Sequence, residues 1–318
     1  MYSEQDILGD IATSERLLQD LFIDLRKKVN YWSKITGQTP QARMGYIGQH
    51  LVSMITGFRG GKSGARGKDL VIDNNSSFGE IKTCYKVDQL GECSNCKNKV
   101  SSLESYCGVC YSENILRKDD SKWLISIRDS IEFENILEPK YYYFVLFEFE
   151  DITNISNNTI VVSIWEVNPK CKGFKYCMFD YYLNIKNNAP FNMWPHQLKF
   201  ELTQPKLIYE SKIYSNDTIK TIIHPQKNNT HFRELSNLRN YSKATTLTVY
   251  NIIDVILKLE PTFKYENHYT KLHLLDKLET LRRYYNISNS ELCDLLSDSI
   301  YLSKINYNLL PDKLKLEY

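Results

Sequence analysis

Two carboxylates and a lysine are the first residues whose types and spacing could do chemistry. Asp69 is followed, after a ten-residue gap, by the triplet Glu80-Ile81-Lys82. Because successive side chains of a β-strand point to opposite faces, a strand here would bring Glu80 and Lys82 to one face and turn Ile81 to the other. Carboxylate oxygens are ligands that Mg²⁺ prefers. On the triplet alone, a surface hairpin with ordinary charges is the favoured interpretation, because charged residues usually cover solvated faces.

The segment that leads into Asp69 changes that balance. Between Phe58 and Lys68 the sequence has four glycines and four basic residues, and no acidic residue lies between Arg43 and Asp69. This composition predicts a flexible basic loop. Basic side chains beside a carboxylate pair favour a site for a phosphodiester, because lysine and arginine are common phosphate contacts.

Two further Glu-x-Lys triplets compete with the first. Glu138-Pro139-Lys140 has proline at its centre, and proline is poorly tolerated in a central strand because it cannot donate a ladder hydrogen bond. Glu210-Ser211-Lys212 lies in a predicted strand, Leu207 to Tyr214, but no aspartate lies between Asp180 and this triplet and no basic loop enters it. We set the first competitor aside and keep the second as a minor alternative.

Four cysteines form a second candidate site. Cys93, Cys96, Cys107 and Cys110 make two CxxC pairs that are separated by ten residues, a spacing typical of one tetrahedral Zn²⁺ site. Four thiolates leave no position for water, so the predicted role of the zinc is structural. Local disulfides are an alternative that a reducing compartment disfavours, and a redox dithiol is another, although one CxxC would suffice for it.

The carboxylates, the lysine and their surroundings resemble a known family. Asp69, Glu80 and Lys82 match the PD-(D/E)xK nuclease motif, with Lys68 where many members have proline. Together with the stretch Ala42-Arg43-Met44-Gly45-Tyr46-Ile47-Gly48-Gln49 and the cysteine module, they look like type II restriction endonucleases of the MamI kind, from about residue 15 to about residue 230. The fold class that this resemblance implies is α/β: a PD-(D/E)xK restriction-endonuclease-like core of mixed β-sheet flanked by helices.

The resemblance also implies an activity and partners. The expected reaction is Mg²⁺-dependent hydrolysis of double-stranded DNA phosphodiesters at a palindromic site, leaving 5′-phosphate ends. A homodimer would cut both strands, and a cognate DNA methyltransferase would belong to the same restriction-modification system. The expected cofactors are catalytic Mg²⁺ and structural Zn²⁺.

Individual roles follow from the same resemblance. Asp69, Glu80 and the carbonyl of Ile81 would hold the Mg²⁺, and Lys82 would orient the attacking water and offset developing charge. Related nucleases often place an acidic residue on the helix before the motif, where this chain has Gln49. We therefore expect Gln49 to position water or DNA rather than to bind metal. The predicted DNA contacts are Arg43, Arg59, Lys62, Arg66 and Lys68.

Helices and strands must position these residues. Apolar periodicity predicts a helix from Glu15 to Trp32 with Ser14 as its N-cap, and a second helix from about Arg43 to Thr56 that ends at Gly57. Short β-type runs follow, and they are interrupted by the zinc module at about residues 86–120. The predicted strands are Asp69–Ile72, Phe78–Tyr85, Trp123–Ile127, Tyr141–Phe149 and Val161–Val167.

The sequence predicts two domains, with a nuclease domain at residues 1–230 and a helical C-terminal domain at residues 231–318 for dimerisation or DNA binding. The segment Ser288 to Leu296 resembles the start of the second helix of a helix-turn-helix, although a helical packing or dimerisation unit is the favoured interpretation. A non-catalytic, zinc-containing DNA-binding regulator therefore remains the rival function. A zinc-associated HNH nuclease is disfavoured, because no histidine lies between His50 and His196.

Composition limits the remaining classes. The 318 residues include 40 basic and 38 acidic side chains, a net charge of +2, which excludes a polyanion-binding tail or coat. The longest apolar run, Tyr141 to Phe147, is far shorter than the roughly 20 residues of a membrane helix. With no signal peptide at its start, the chain is predicted to be cytoplasmic.

Overall fold

The structure is a computed structural model, and it describes residues 8–38, 44–61, 68–73, 76–85, 90–101, 104–117, 123–125, 127–152, 159–185, 190–193 and 197–315. The α-helices are α1 (Ile11–Leu18), α2 (Leu25–Thr36), α3 (Met44–Thr56), α4 (Ser130–Glu134), α5 (Lys172–Asp180), α6 (Gln197–Leu202), α7 (Val249–Leu259), α8 (Lys271–Tyr284), α9 (Asn289–Tyr301) and α10 (Asp312–Lys315). The strands are β1 (Arg59–Gly60), β2 (Leu70–Ile72), β3 (Ser77–Tyr85), β4 (Gly91–Cys93), β5 (Lys99–Val100), β6 (Ile115–Leu116), β7 (Leu124–Ile125), β8 (Tyr141–Phe149), β9 (Ile160–Val167), β10 (Phe191–Asn192), β11 (Lys206–Ile213), β12 (Ile219–Ile223) and β13 (His231–Phe232). Turns of π-helix span Gln19–Asp24 and Tyr181–Ile185.

The chain forms two compact units that do not follow the predicted consecutive domains. Unit 1 comprises Met1–Trp123, Tyr141–Glu166 and Lys206–His231, and unit 2 comprises Leu124–Lys140, Val167–Pro205 and Phe232–Tyr318. The chain passes for the last time from unit 1 to unit 2 between His231 and Phe232, beside the predicted boundary at residue 230. Two earlier segments also belong to unit 2, and in the second of them α5 and α6 pack against α9.

Unit 1 contains a mixed sheet with the strand order β1-β2-β3-β8-β9-β11-β12. The predicted strands before and at the Glu80 triplet are both present: β2 and β3 are antiparallel, with Leu70 opposite Gly79 and Ile72 opposite Ser77. β3 then pairs in parallel with β8, so that Glu80 lies opposite Tyr142. Strand β2 begins at Leu70, one residue later than predicted, which leaves Asp69 just ahead of the strand pairing.

Helices cover one face of this sheet, and residues of these helices and of the sheet together form the core of unit 1. Ile47 and Leu51 of α3 pack in one buried cluster with Ile81 of β3 and with Leu18 and Phe22 of the first helical segment. Ile81 therefore faces the helices. Glu80 and Lys82 point to the opposite face of β3, as the two-residue period predicts.

The N-terminal helical segment differs from its prediction in its start and its continuity. Asp10, not Ser14, caps the first helix, because an Asp10 carboxylate oxygen accepts a hydrogen bond from the Thr13 amide at 2.7 Å. Ser14 lies inside the helix and donates its hydroxyl hydrogen bond to the Ile11 carbonyl. The turn of π-helix then separates α1 from α2, and α2 ends at Gly37, whose φ of 70° is left-handed.

The cysteine module is a separate small sheet inserted between β3 and β8 in the sequence. Its strands follow the order β5-β4-β6, and Cys93, Val100, Cys107 and Ile115 form its small core. Lys34 of α2 forms an ion pair with Glu104 of the module at 2.7 Å. Because the described residues of the module form so small a core, we expect the module to need a source of stability besides packing.

Unit 2 is largely helical, as predicted for its C-terminal part. Ser288 caps α9 with its side chain, and Glu291 completes a capping box, which confirms the predicted helix start. The predicted strand Trp123–Ile127 is shorter than expected: β7 spans Leu124–Ile125 and pairs with β10 in a two-stranded sheet of unit 2. Among the described residues, no helix is long and apolar enough to cross a membrane.

A close approach between α3 and β3 fixes the position of the helix. A Cβ atom added at Gly48 would lie 2.0 Å from Thr83 Oγ1, whereas one added at Gly45 would meet no atom within 4 Å. We therefore expect Gly48→Ala to lower the free energy of unfolding by about 1–3 kcal/mol through overpacking, measured by urea denaturation.

The matched control is Gly45→Ala on the same helix, which should leave stability unchanged or raise it. Adding Thr83→Ala to Gly48→Ala should recover part of the loss, because the clashing hydroxyl is then removed. Equal stability of Gly48→Ala and Gly45→Ala would show that α3 is free to move away from β3.

Candidate functional site

Asp69 is held between α3 and β3 by two hydrogen bonds. Its Oδ1 accepts from Gln49 Nε2 at 3.0 Å, and its Oδ2 accepts from the Ile81 backbone amide at 2.9 Å. Its own backbone carbonyl accepts from the Gly61 amide at 2.9 Å. Asp69 precedes the ladder of β2 and β3, so these contacts are what fix its carboxylate.

Glu80 and Lys82 are paired on the other face of β3. Lys82 Nζ lies 2.5 Å from Glu80 Oε1. The Lys82 side chain is 27% exposed and the Glu80 side chain is 13% exposed. The charge of Asp69 also acts on Glu80, which places both carboxylates in one electrostatic neighbourhood. The structure thus brings together the three residues that the sequence motif singles out.

Burial makes Glu80 an unusual carboxylate. Burial raises the pKa of Glu80 above its ordinary value. The positive charge of Lys82 lowers this pKa in part, and the negative charge of Asp69 raises it further. Tyr142, opposite Glu80 on β8, is 3% exposed, and burial together with the Glu80 charge raises the pKa of its phenol well above the ordinary range. Sequence reasoning missed Tyr142, because only the parallel pairing of β3 with β8 brings it beside Glu80.

The site has an oxygen that fits a hard cation. Glu80 Oε2 is buried and has no hydrogen-bond partner among the described residues. An unsatisfied buried carboxylate oxygen is costly, and a divalent cation would satisfy it. Asp69 keeps further lone pairs on both oxygens for the same ion. Two carboxylates with one open oxygen match the oxygen ligand set of Mg²⁺.

Basic residues flank Asp69 on the side of β1. Arg59 lies on β1 and is exposed, and Lys68 precedes Asp69 with its Nζ 5.3 Å from the centre of the Phe78 ring. Gly61 lets its own backbone lie close to that of Lys68, because a Cβ atom at position 61 would lie 1.9 Å from the Lys68 carbonyl oxygen. Of the other predicted DNA contacts, Arg43, Lys62 and Arg66 lie outside the described residues.

The second predicted site is a compact cluster of four sulfurs. The Sγ atoms of Cys93, Cys96, Cys107 and Cys110 all lie within 4.8 Å of one another, and two pairs are 3.4 Å apart. Four sulfurs bound to one Zn²⁺ at about 2.3 Å would be about 3.8 Å apart in a tetrahedron. The cluster is therefore compatible with zinc, and all four thiols are free of disulfide bonds.

Backbone amides prepare two of these thiols for metal. The amides of Cys110 and Val109 lower the pKa of Cys107 to about 6, and those of Cys96 and Asn95 act in the same direction on Cys93. Thiolates rather than thiols bind metal, so these amides favour the ligand form. Each knuckle turns through a left-handed residue, Lys97 with φ 61° and Tyr111 with φ 57°.

Neither competing triplet forms a comparable cluster. On β11, Lys212 pairs with Glu150 rather than with Glu210. Glu138 pairs with Lys313. Lys212 and Glu138 therefore each form an ion pair with a residue outside their own triplet.

The fold and site define an α/β protein with a candidate cation site of two carboxylates and a lysine, and with a separate four-cysteine cluster. The chain belongs to the MamI restriction endonuclease family, whose model matches residues 31–247, more than half of the chain. This match confirms the resemblance found in the sequence.

A curated relative points to the same family. The type II restriction enzyme MamI of Microbacterium ammoniaphilum is 34% identical to this chain over 93 residues, which cover 27% of this chain and 29% of that enzyme. The chain thus matches less than a third of the length of that relative. No solved structure matches the chain significantly.

The buried carboxyl of Glu80 predicts a stability effect with a defined pH dependence. Since its folded pKa lies above the ordinary value of 4.5, ionisation of Glu80 destabilises the fold as the pH rises through that value and up to the folded pKa. Without added Mg²⁺, Glu80→Gln should therefore unfold at a higher temperature than the wild type near neutral pH, and the difference should shrink as the pH falls below 4.5. Differential scanning calorimetry across this range measures both trends.

Lys82→Met is the control of opposite sign, because it removes the cation that lowers the pKa of Glu80. It should lower the unfolding temperature near neutral pH. A less stable Glu80→Gln variant at that pH would mean that the ion pair with Lys82 outweighs the cost of burial.

Proposed function

We propose that this protein is a Mg²⁺-dependent type II restriction endonuclease with a PD-(D/E)xK core. It hydrolyses double-stranded DNA at a specific palindromic site and leaves 5′-phosphate ends. The observation that carries the proposal is the convergence of Asp69, Glu80 and Lys82, with the buried, unpartnered Oε2 of Glu80, in a chain of the MamI restriction endonuclease family.

The residues of the site divide the work of hydrolysis. Asp69 and Glu80, with the carbonyl of Ile81, would hold the cation. When bound there, Mg²⁺ would polarise the scissile phosphate and lower the pKa of a coordinated water. Lys82, whose ammonium already lies beside Glu80, orients the attacking water and offsets the negative charge that develops on the phosphate.

Basic residues beside the site hold the DNA backbone. Lys68 directly precedes Asp69, and Arg59 lies on β1 opposite Val71; both are proposed to contact phosphates together with Arg43, Lys62 and Arg66. Such contacts position a duplex without reading its sequence. Base readout falls to other elements.

A duplex has two strands, and one such site cuts one of them. The proposed enzyme is therefore a homodimer whose two-fold axis matches a palindromic target. The helical segment at residues 231–318 is proposed as the dimerisation or DNA-binding part. The proposal also includes a cytoplasmic setting, where a cognate methyltransferase protects the host DNA.

Alanine substitution of the metal ligands should separate DNA binding from cleavage. Asp69→Ala or Glu80→Ala removes negative charge near a phosphate, so DNA affinity should hold or rise. Cleavage should fall by about a thousandfold or more, because metal activation of water is worth several kcal/mol and each 1.36 kcal/mol is about tenfold in rate. Lys82→Ala should also abolish cutting. Plasmid digestion with Mg²⁺ and a gel-shift assay measure the two effects.

The matched control is the double variant Glu210→Ala/Lys212→Ala, which changes the competing triplet and should cut normally. Loss of cutting in this control together with normal cutting by Glu80→Ala would show that Glu210 and Lys212 belong to the catalytic site and Glu80 does not. A wild-type protein that binds DNA specifically but never cuts it with any divalent cation would instead support the zinc-containing regulator.

The four-cysteine cluster is proposed to hold one structural Zn²⁺. Its sulfurs lie at distances near those of a tetrahedral site, and the core that the described residues of the module form consists of Val100, Ile115 and the two proposed ligands Cys93 and Cys107. Metal binding would supply the folding free energy that this core lacks. With four thiolate ligands, the zinc takes no part in the hydrolysis.

Removal of one thiolate should release this zinc. Cys93→Ser should lose the one zinc per chain that elemental analysis of the wild type finds, and it should unfold at a lower temperature. Cys171→Ser is the control, because Cys171 lies outside the cluster and its thiol contacts the Thr203 carbonyl. Unchanged zinc content and unchanged stability in Cys93→Ser would contradict the proposed module.

A further inference from the structure

Gln49 donates a hydrogen bond from its side-chain amide to the carboxylate of Asp69. Nε2 donates to Asp69 Oδ1 at 3.0 Å, while the Ile81 amide donates to Oδ2 at 2.9 Å. Each carboxylate oxygen thus has its own donor, one from a helix and one from a strand. Two donors on two oxygens fix both the position and the plane of a carboxylate.

Only one orientation of the Gln49 amide suits this contact. A carboxylate accepts hydrogen bonds and cannot donate them when ionised, so the amide nitrogen must face it. A glutamate at position 49 would put a second carboxylate where the donor now lies, about 3 Å from Asp69, with like-charge repulsion instead of a hydrogen bond. The chemistry of the contact therefore requires a hydrogen-bond donor here and disfavours a carboxylate.

The packing of α3 shows why the contact forms. Gly48, the neighbour of Gln49, lies against Thr83 of β3 so closely that any Cβ atom would clash. This approach places the helix backbone next to the strand that carries Glu80 and Lys82. Gln49 can then reach Asp69 although the two residues are 20 positions apart in the chain.

We propose that Gln49 is a positioning residue, which orients the Asp69 carboxylate for the divalent cation without binding that cation itself. This inference rests on the proposed function, because it assumes that Asp69 and Glu80 hold the metal. It assigns to Gln49 neither the water-positioning nor the DNA-positioning role expected from the sequence. Partners that orient a metal ligand in this way are commonly worth about 10–100-fold in metal affinity.

The test measures Mn²⁺ binding to the zinc-replete protein by calorimetry, without DNA and without turnover. Gln49→Met keeps the approximate volume and removes the donor, and it should weaken Mn²⁺ binding about tenfold or more. Gln49→Glu should weaken binding at least as much. His50→Ala, an exposed neighbour on the same helix, is the matched control and should bind as the wild type does.

The outcomes separate the roles open to Gln49. Wild-type affinity in Gln49→Met overturns the inference, as does tighter binding or an additional bound Mn²⁺ in Gln49→Glu, which would mark a ligand position. DNA affinity measured without divalent cation should be unchanged in Gln49→Met, and its loss would mark a DNA contact instead. Thermal unfolding of each variant verifies that the fold persists.

Two further variants distinguish failure of this inference from failure of the proposed function. Asp69→Asn and Glu80→Gln should each lose Mn²⁺ binding. If both bind Mn²⁺ like the wild type, the proposed metal site itself is wrong. If both lose binding while Gln49→Met does not, the metal site stands and only the positioning role of Gln49 is overturned.

Discussion

The candidate site depends on the contact between helix α3 and strand β3. Asp69 lies one residue ahead of the β2 ladder, so strand pairing alone does not fix its side chain. The donors that do fix it come from Gln49 on the helix and from the Ile81 amide on the strand. Gly48 permits this arrangement because a side chain there would clash with Thr83. A helix farther from the sheet would leave Asp69 with the Ile81 donor alone and a carboxylate free to rotate.

The electrostatics of the site oppose the stability of the fold. Glu80 is buried beside Tyr142, and its Oε2 has no hydrogen-bond partner among the described residues. Lys82 compensates only part of the cost, since the pKa of Glu80 remains raised. A cation that binds between Glu80 and Asp69 would remove both the desolvation cost and the repulsion between the two carboxylates. Cation binding at this site would thus be coupled to stability through one buried oxygen.

Local patterns predicted the parts of the site that depend on local geometry. The two-residue period of a strand was enough to put Glu80 and Lys82 on one face, and the CxxC spacing was enough to bring four sulfurs together. Tyr142 could not be predicted, because its place opposite Glu80 requires a parallel pairing between distant segments. The capping role of Asp10 was missed because Ser14 precedes a stronger apolar pattern. The discontinuous units could not be predicted for the same reason as Tyr142: contacts between distant segments produce no periodic pattern in the local sequence.

The cysteine module lies in the connection that makes this parallel pairing possible. Parallel neighbours need a crossover connection, and the chain from Tyr85 at the end of β3 to Tyr141 at the start of β8 is such a crossover. The entropic cost of closing a connection rises with its flexible length, so a segment held compact by four metal-bound thiolates shortens the part that remains flexible. On this argument the zinc proposed for the module stabilises more than its own sheet. Such a zinc would favour the β3–β8 pairing that buries Glu80 beside Tyr142.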